Sequence, residues 1–91
     1  MYSLEQSPME VCTKLAQKHK MLRKKQRLSQ AELAERSGVS LGSLKRFENT
    51  GKISLESLLK LAHLFGRLKD FENVFQPGEN LKKIEQLFTN K

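Results

Sequence analysis

Helix punctuation recurs along this chain so often that little besides short helices fits between the marks. Ser7-Pro8-Met9-Glu10 puts serine at a candidate N-cap, proline at the first helical position and glutamate three residues after the cap. That is a capping box with the favoured proline. Ser29-Gln30-Ala31-Glu32 repeats the box. Ser40 and Ser54 stand before apolar-periodic runs, and Gly38 and Gly66 stand where such runs end. Serine satisfies free N–H groups at a helix start, and glycine takes the left-handed turn at a helix end. The pattern predicts a first helix from Pro8 to about Lys25, a second ending near Ser37, a third from Leu41 to about Asn49, a fourth from Leu55 to Phe65, and a short fifth from Leu68 to Phe75. Thr50-Gly51-Lys52-Ile53 and Gln76-Pro77-Gly78 read as breaks. No run of alternating β-branched residues competes, so an all-α domain is expected.

The chain has 91 residues, which suits one domain with a modest core. Its net charge is +7. Between Val11 and Ala31 lie Lys14, Lys18, Lys20, Arg23, Lys24, Lys25 and Arg27 and no acid, while basic and acidic residues balance elsewhere. The excess therefore sits on the first helix, which suits a polyanionic partner. No apolar run nears the roughly 18 residues of a spanning helix. Residues Met1 to Lys14 lack the pattern of a signal peptide. Cys12 is the only cysteine, so neither an intrachain disulfide nor a cysteine metal cluster is expected. A soluble, cytoplasmic, nucleoid-associated protein without cofactor or metal is the expectation. There is no Ser-His-acid set and no glycine-rich phosphate loop, so no enzyme is expected. His63 has no companion at metal-ligand spacing, and Cys12 reads as a small apolar helix residue.

The informative block is QAELAERSGVSLGSLKRFEN, Gln30 to Asn49. Two short helices joined by a glycine-containing turn form a helix-turn-helix. Ala34 permits a close crossing, Gly38 takes positive φ, and Leu33, Val39, Leu44 and Phe47 supply the apolar contacts. With Leu44 and Phe47 inward, Gly42, Arg46 and Asn49 point almost opposite, flanked by Ser43 and Lys45. Arg46 is placed to read guanine O6 and N7 through two hydrogen bonds, Leu41 to touch a thymine methyl, and Ser40 and Ser43 to meet phosphate or a base edge. Gly42 leaves space for the groove, and Asn49 reads as a helix end. Lys52 and the basic residues Lys24, Lys25 and Arg27 are candidate phosphate contacts.

From Leu22 to Phe65, including LSQAELA, GVS and Glu48, the chain resembles the XRE family of DNA-binding proteins. The resemblance implies a lambda-repressor-like five-helix domain whose third helix lies in the major groove. It implies that Gln30 contacts the DNA backbone and that Arg23 pairs with Glu48 as a structural ion pair. His19 stands where the family usually has an aliphatic residue and reads as a packing residue. Leu41 stands where a polar base reader is common.

One helix-turn-helix contacts about half an operator, so a homodimer on a palindromic site is expected. Leu68, Phe71, Val74 and Phe75 form one apolar stripe, and Leu81, Ile84, Leu87 and Phe88 form another. We expect a DNA-binding domain over residues 1–76, with dimer contact through Phe71, Val74 and Phe75 and on into a helical segment 77–91. SLGSLKRFE, ISLESLLKLA and LKDFENVF resemble HipB-type regulators that accompany HipA-type kinase toxins, in the short, three-component form. That resemblance implies a homodimeric autorepressor that also binds proteins of a toxin system. The alternatives are a protein-binding antitoxin module with little DNA affinity, or a phage-type repressor without a toxin partner. A membrane-surface role for the first helix is disfavoured by its short apolar face, which lacks Trp and Phe.

Overall fold

The structure, a computed structural model, describes residues 6–77. Leu81, Ile84, Leu87 and Phe88 lie outside the described residues. The described chain forms four α-helices: α1 (Pro8–Lys25), α2 (Gln30–Ser37), α3 (Leu41–Thr50) and α4 (Leu55–Leu64). A 3-10 turn, Leu68–Phe71, follows. No strand occurs among the described residues, so the fold is all-α.

The helix starts follow from local chemistry. Ser7 Oγ accepts from the Glu10 N–H at 3.1 Å while Glu10 accepts from the Ser7 N–H at 2.7 Å. Ser29 and Glu32 do the same at 3.0 and 2.8 Å. Ser40 and Ser54 cap α3 and α4 through Ser43 N–H and Ser57 N–H. Each cap satisfies N–H groups that the helix leaves open and stabilises it by roughly 1 kcal/mol.

Ala16, Leu33, Ala34, Val39, Leu44, Phe47 and Leu61 form the core, and Leu15, Leu28, Ile53, Leu58, Leu64 and Phe65 pack around it. α3 lies at the centre, against α1 on one side and α2 on the other, and α4 packs on α2. Leu33 and Leu44 are fully buried; replacing either with alanine costs about 2–5 kcal/mol. Gly51 ends α3 with φ +82°, and a Cβ there would stand 3.0 Å from the carbonyl carbon of Cys12. Glycine at 51 thus serves twice, for the left-handed turn and for the close approach of α3 to α1.

The structure departs from the apolar pattern of the sequence in two places. Val11, Leu15 and Leu22 mark the apolar side of α1 by composition, yet Val11 is 48% exposed and the other two are half-buried. The buried positions are Ala16, His19 and Arg23, because α1 meets α3 through polar side chains with partners there. The fifth helix expected from Leu68 to Phe75 is only the 3-10 turn, followed by further turns. Leu68, Val74 and Phe75 are exposed, so no buried face rewards the ordering of an α-helix there. Pro77 also drives the residue before it out of the α region.

Candidate nucleic-acid interface

α2 and α3 are set by the turn between them. Gly38 takes φ +82° and its N–H returns to the Ala34 carbonyl at 3.1 Å. Val39 enters the core and Ser40 starts α3 at once. α3 therefore leaves the turn with Leu44 and Phe47 inward and Leu41, Gly42, Ser43, Lys45, Arg46 and Asn49 exposed.

Beneath α3 lies a polar hub on Glu48, whose side chain is 1% exposed. Its Oε2 accepts from His19 Nδ1–H at 2.9 Å and from Arg23 Nε–H at 3.0 Å. Its Oε1 accepts from Arg23 Nη2–H and from Gln30 Nε2–H, both at 3.0 Å. Arg23 Nη1 also donates to the Leu28 carbonyl at 2.8 Å. One carboxylate thereby joins α1, α2 and α3 through four charge-assisted bonds. Burial alone would raise the Glu48 pKa. The hydrogen bonds from Arg23 and Gln30 and the charge of Arg23 outweigh it and hold the carboxyl below its ordinary value. For His19 burial prevails: it lowers the pKa despite the raising effect of Glu48, and the Arg23 charge adds to the lowering. His19 stays neutral, with its proton on Nδ1, and its ring meets Phe47 and Phe65 edge to face at 5.2 and 5.7 Å.

The residues expected as the structural pair and as DNA contacts lie in different surroundings. Arg23 and Glu48 meet inside the fold. Gln30 is half-buried, and one N–H of its amide is held by Glu48, leaving its oxygen and second N–H without an intramolecular partner among the described residues. The Ser40 hydroxyl accepts from Ser43 N–H and donates to Ser43 Oγ at 2.9 Å, so Ser43 carries the outward O–H of the two. Leu41 is 36% exposed. Arg46 and Lys45 are exposed and form no salt bridge among the described residues. A Cβ built on Gly42 meets nothing within 4 Å, so the fold itself does not require glycine there. Beside this face Ser43, Arg46, Lys52, Ile53, Ser54 and Ser57 line a notch of about 300 Å³ at the start of α4. A helix start with two nearby cations suits a phosphate oxygen.

The basic residues of α1 do not act as one block. Arg23 is buried and neutralised by Glu48; the other five, and Arg27 just after the helix, are exposed. At about 100° per residue, Lys14, Lys18 and Lys25 share the face opposite Ala16, His19 and Arg23, turned away from α3. Lys20 and Lys24 share a flank. Arg27 follows the helix with φ +59°, exposed. Near α3, then, the cations that remain are Lys45, Arg46 and Lys52, with Lys20, Lys24 and Arg27 at the flank.

Residue-type reasoning missed the role of His19 as a partner of Glu48. The signal available was a histidine four residues before Arg23, which places both on one face of α1. Among the described residues no group of three or more His, Cys, Asp or Glu side chains could hold a metal ion, and no helix is long and apolar enough to cross a membrane.

Neither a comparison with curated proteins nor one with solved structures gives a match. A comparison with protein families gives one, described as helix-turn-helix, over residues 20–70. The matched stretch is more than half of the chain and holds the end of α1, with Arg23, Gln30 and Glu48 of the hub, and α2, α3 and α4; His19 lies just before it. The chain belongs to the XRE-type helix-turn-helix family, whose domain is a DNA-binding regulator of transcription and not typically an enzyme.

Proposed function

We propose that this protein is a sequence-specific repressor that binds double-stranded DNA as a homodimer, with the outer face of α3 in the major groove. The observation that carries this is Gly42: a glycine at an exposed helical position with open space around it. Such a glycine destabilises a helix by about 0.5–1 kcal/mol relative to alanine. Close approach of DNA gives it a reason. Arg46 and Lys45 beside it read base edges, and Ser43, Lys52 and the start of α4 hold phosphate. Gln30, Lys24 and Arg27 add phosphate contacts, while Lys25, on the face turned from α3, takes no direct part. Val74, 55% exposed, and the fully exposed Phe75 are open to contact with a second copy.

The test is duplex binding across a salt series. A dimer making about eight phosphate contacts gives a log–log slope near −7. A slope near zero, or equal affinity for selected and random duplexes, contradicts the proposal. Light scattering at micromolar concentration reports the dimer, and a monomer there removes the dimeric part.

A finer reading follows from the resemblance of Gly38 to Phe75 to HipB-type regulators. On that reading the protein represses its own operon and is the antitoxin component beside a HipA-type kinase. It predicts tight binding to such a kinase or its companion protein without DNA. Failure of that binding leaves a repressor with no toxin partner.

A further inference from the structure

Between α1 and α4 runs a groove that the outer face of α3 does not share. Leu15 and Leu22 of α1, Leu58 and Phe65 of α4 and Phe71 of the 3-10 turn line it, around a volume of about 170 Å³. These side chains are half-buried, so the walls are apolar and open to entry from water. His19 lines the same groove and is 9% exposed; its Nε2 is buried with no hydrogen-bond partner among the described residues. The Nδ1–H donates to Glu48, so on the neutral ring Nε2 is an acceptor with an open lone pair. Buried polar atoms in native folds are nearly always paired. An apolar pocket with a buried polar atom converging on it is the usual form of a small-molecule site.

The walls define the chemistry of an occupant. An apolar cavity of about 150 Å³ takes up a benzene-sized ring, and this groove has that scale. Phe65 meets the His19 ring edge to face at 5.7 Å, and Phe71 lines the groove with them, so a flat aromatic ring finds aromatic neighbours. The lone pair of Nε2 calls for a donor. At the rim Arg67 is paired with Asp70 at 3.0 Å, while Lys18 has no salt bridge among the described residues. The rim is therefore positive and repels a cationic donor. A carboxylate would bring acceptors to an acceptor. A neutral donor on an apolar ring meets every wall.

We propose that this groove binds a small neutral aromatic molecule about the size of phenol, its ring held among Leu22, Leu58 and Phe65 and its one O–H or N–H donated to His19 Nε2. The occupant then lies one side chain from the hub, since the same imidazole holds Glu48 beneath α3. The site stands whatever α3 binds, so its test is separate from that of DNA binding.

The test uses the full chain, isotope-labelled in its nitrogens and methyl groups. It is titrated with phenol and, separately, with toluene, which has the same ring and nearly the same size but no donor. Expected is saturable binding of phenol with a Kd below about 1 mM, within reach of so small a ligand, read from the Leu22 and Leu58 methyl signals and the His19 Nε2 signal. His63 is exposed, and its nitrogen signals stay in place. Toluene should bind at least about tenfold more weakly, because it leaves the Nε2 lone pair buried and unpaired, and it should leave the Nε2 signal unmoved. Ala62 lines the groove from α4 and takes no part in the hub. Ala62→Leu fills the space with a good helix former and should abolish phenol binding. Absence of saturable phenol binding overturns the proposal and leaves Nε2 to water alone. Toluene binding as tight as that of phenol overturns it too, as does an Ala62→Leu protein that binds phenol like the wild type.

Discussion

The two sides of α3 are built on opposite principles. On the inner side Arg23, His19 and Gln30 converge on Glu48, and the carboxylate accepts four hydrogen bonds. On the outer side Lys45 and Arg46 form no salt bridge among the described residues, and Gly42 faces open space. The inner side holds charge to fix geometry, and the outer side keeps charge and space free for a partner. A cation count does not separate the two: Arg23 and Arg46 add equally to the +7, but only Arg46 remains available to a nucleic acid.

The sharpest way to break this contrast is to damage the inner side. Glu48→Gln leaves the Arg23 guanidinium buried and unpaired, and should cost about 3–5 kcal/mol in denaturant unfolding. DNA binding then falls for all duplexes together, because the platform is lost. Retention of near-normal stability would show that the hub does not hold α3.

Acid probes the same hub more gently. His19 has its folded pKa below the ordinary 6.5, so the unfolded chain takes up a proton that the folded chain refuses. Stability is full above that value and falls as pH drops through it toward the folded pKa. Glu48, held below its ordinary 4.5, adds a second loss as pH falls below that value through its own folded pKa. His19→Leu should abolish the first loss and leave the second, as read from midpoints of urea unfolding between about pH 7 and about pH 3. An unchanged first loss places the titrating group elsewhere.

On the outer side, Gly42→Ala should raise stability by about 0.5–1 kcal/mol while weakening duplex binding. A gain in both would mean that the open space at Gly42 serves no partner. The smallest expected effect separates two neighbours on α1. Lys24→Ala should reduce the salt slope by about one, while Lys25→Ala, on the face turned from α3, should leave it nearly unchanged. Equal effects would contradict the division of α1 into flank and outer face.

What was legible in the sequence was local. A serine cap acts on an N–H three residues away, so all four helix starts are readable from neighbouring residues. The core of α2 and α3 is readable because Leu33, Val39, Leu44 and Phe47 are apolar and periodic. The inner face of α1 is not, because His19 and Arg23 are buried only by virtue of a carboxylate 29 and 25 residues away. Pairing of Arg23 with Glu48 was implied by family resemblance alone, and nothing in residue type brought His19 to the same carboxylate. Leu68 to Phe75 has helical apolar spacing, but Leu68, Val74 and Phe75 stay exposed, and pattern without packing does not hold a helix. The exposed face of α3 followed once its two buried residues were known.

The most direct test of the central claim is a ratio of affinities at one salt concentration. A duplex selected from a random pool is compared with an unselected duplex, for the wild-type protein and for Arg46→Ala. If α3 reads bases through Arg46, the wild type prefers the selected duplex and Arg46→Ala lowers that preference by roughly 5–150-fold, the equivalent of about 1–3 kcal/mol, with affinity for the unselected duplex little changed. A wild type with no preference, or an Arg46→Ala protein with the full preference, contradicts the account.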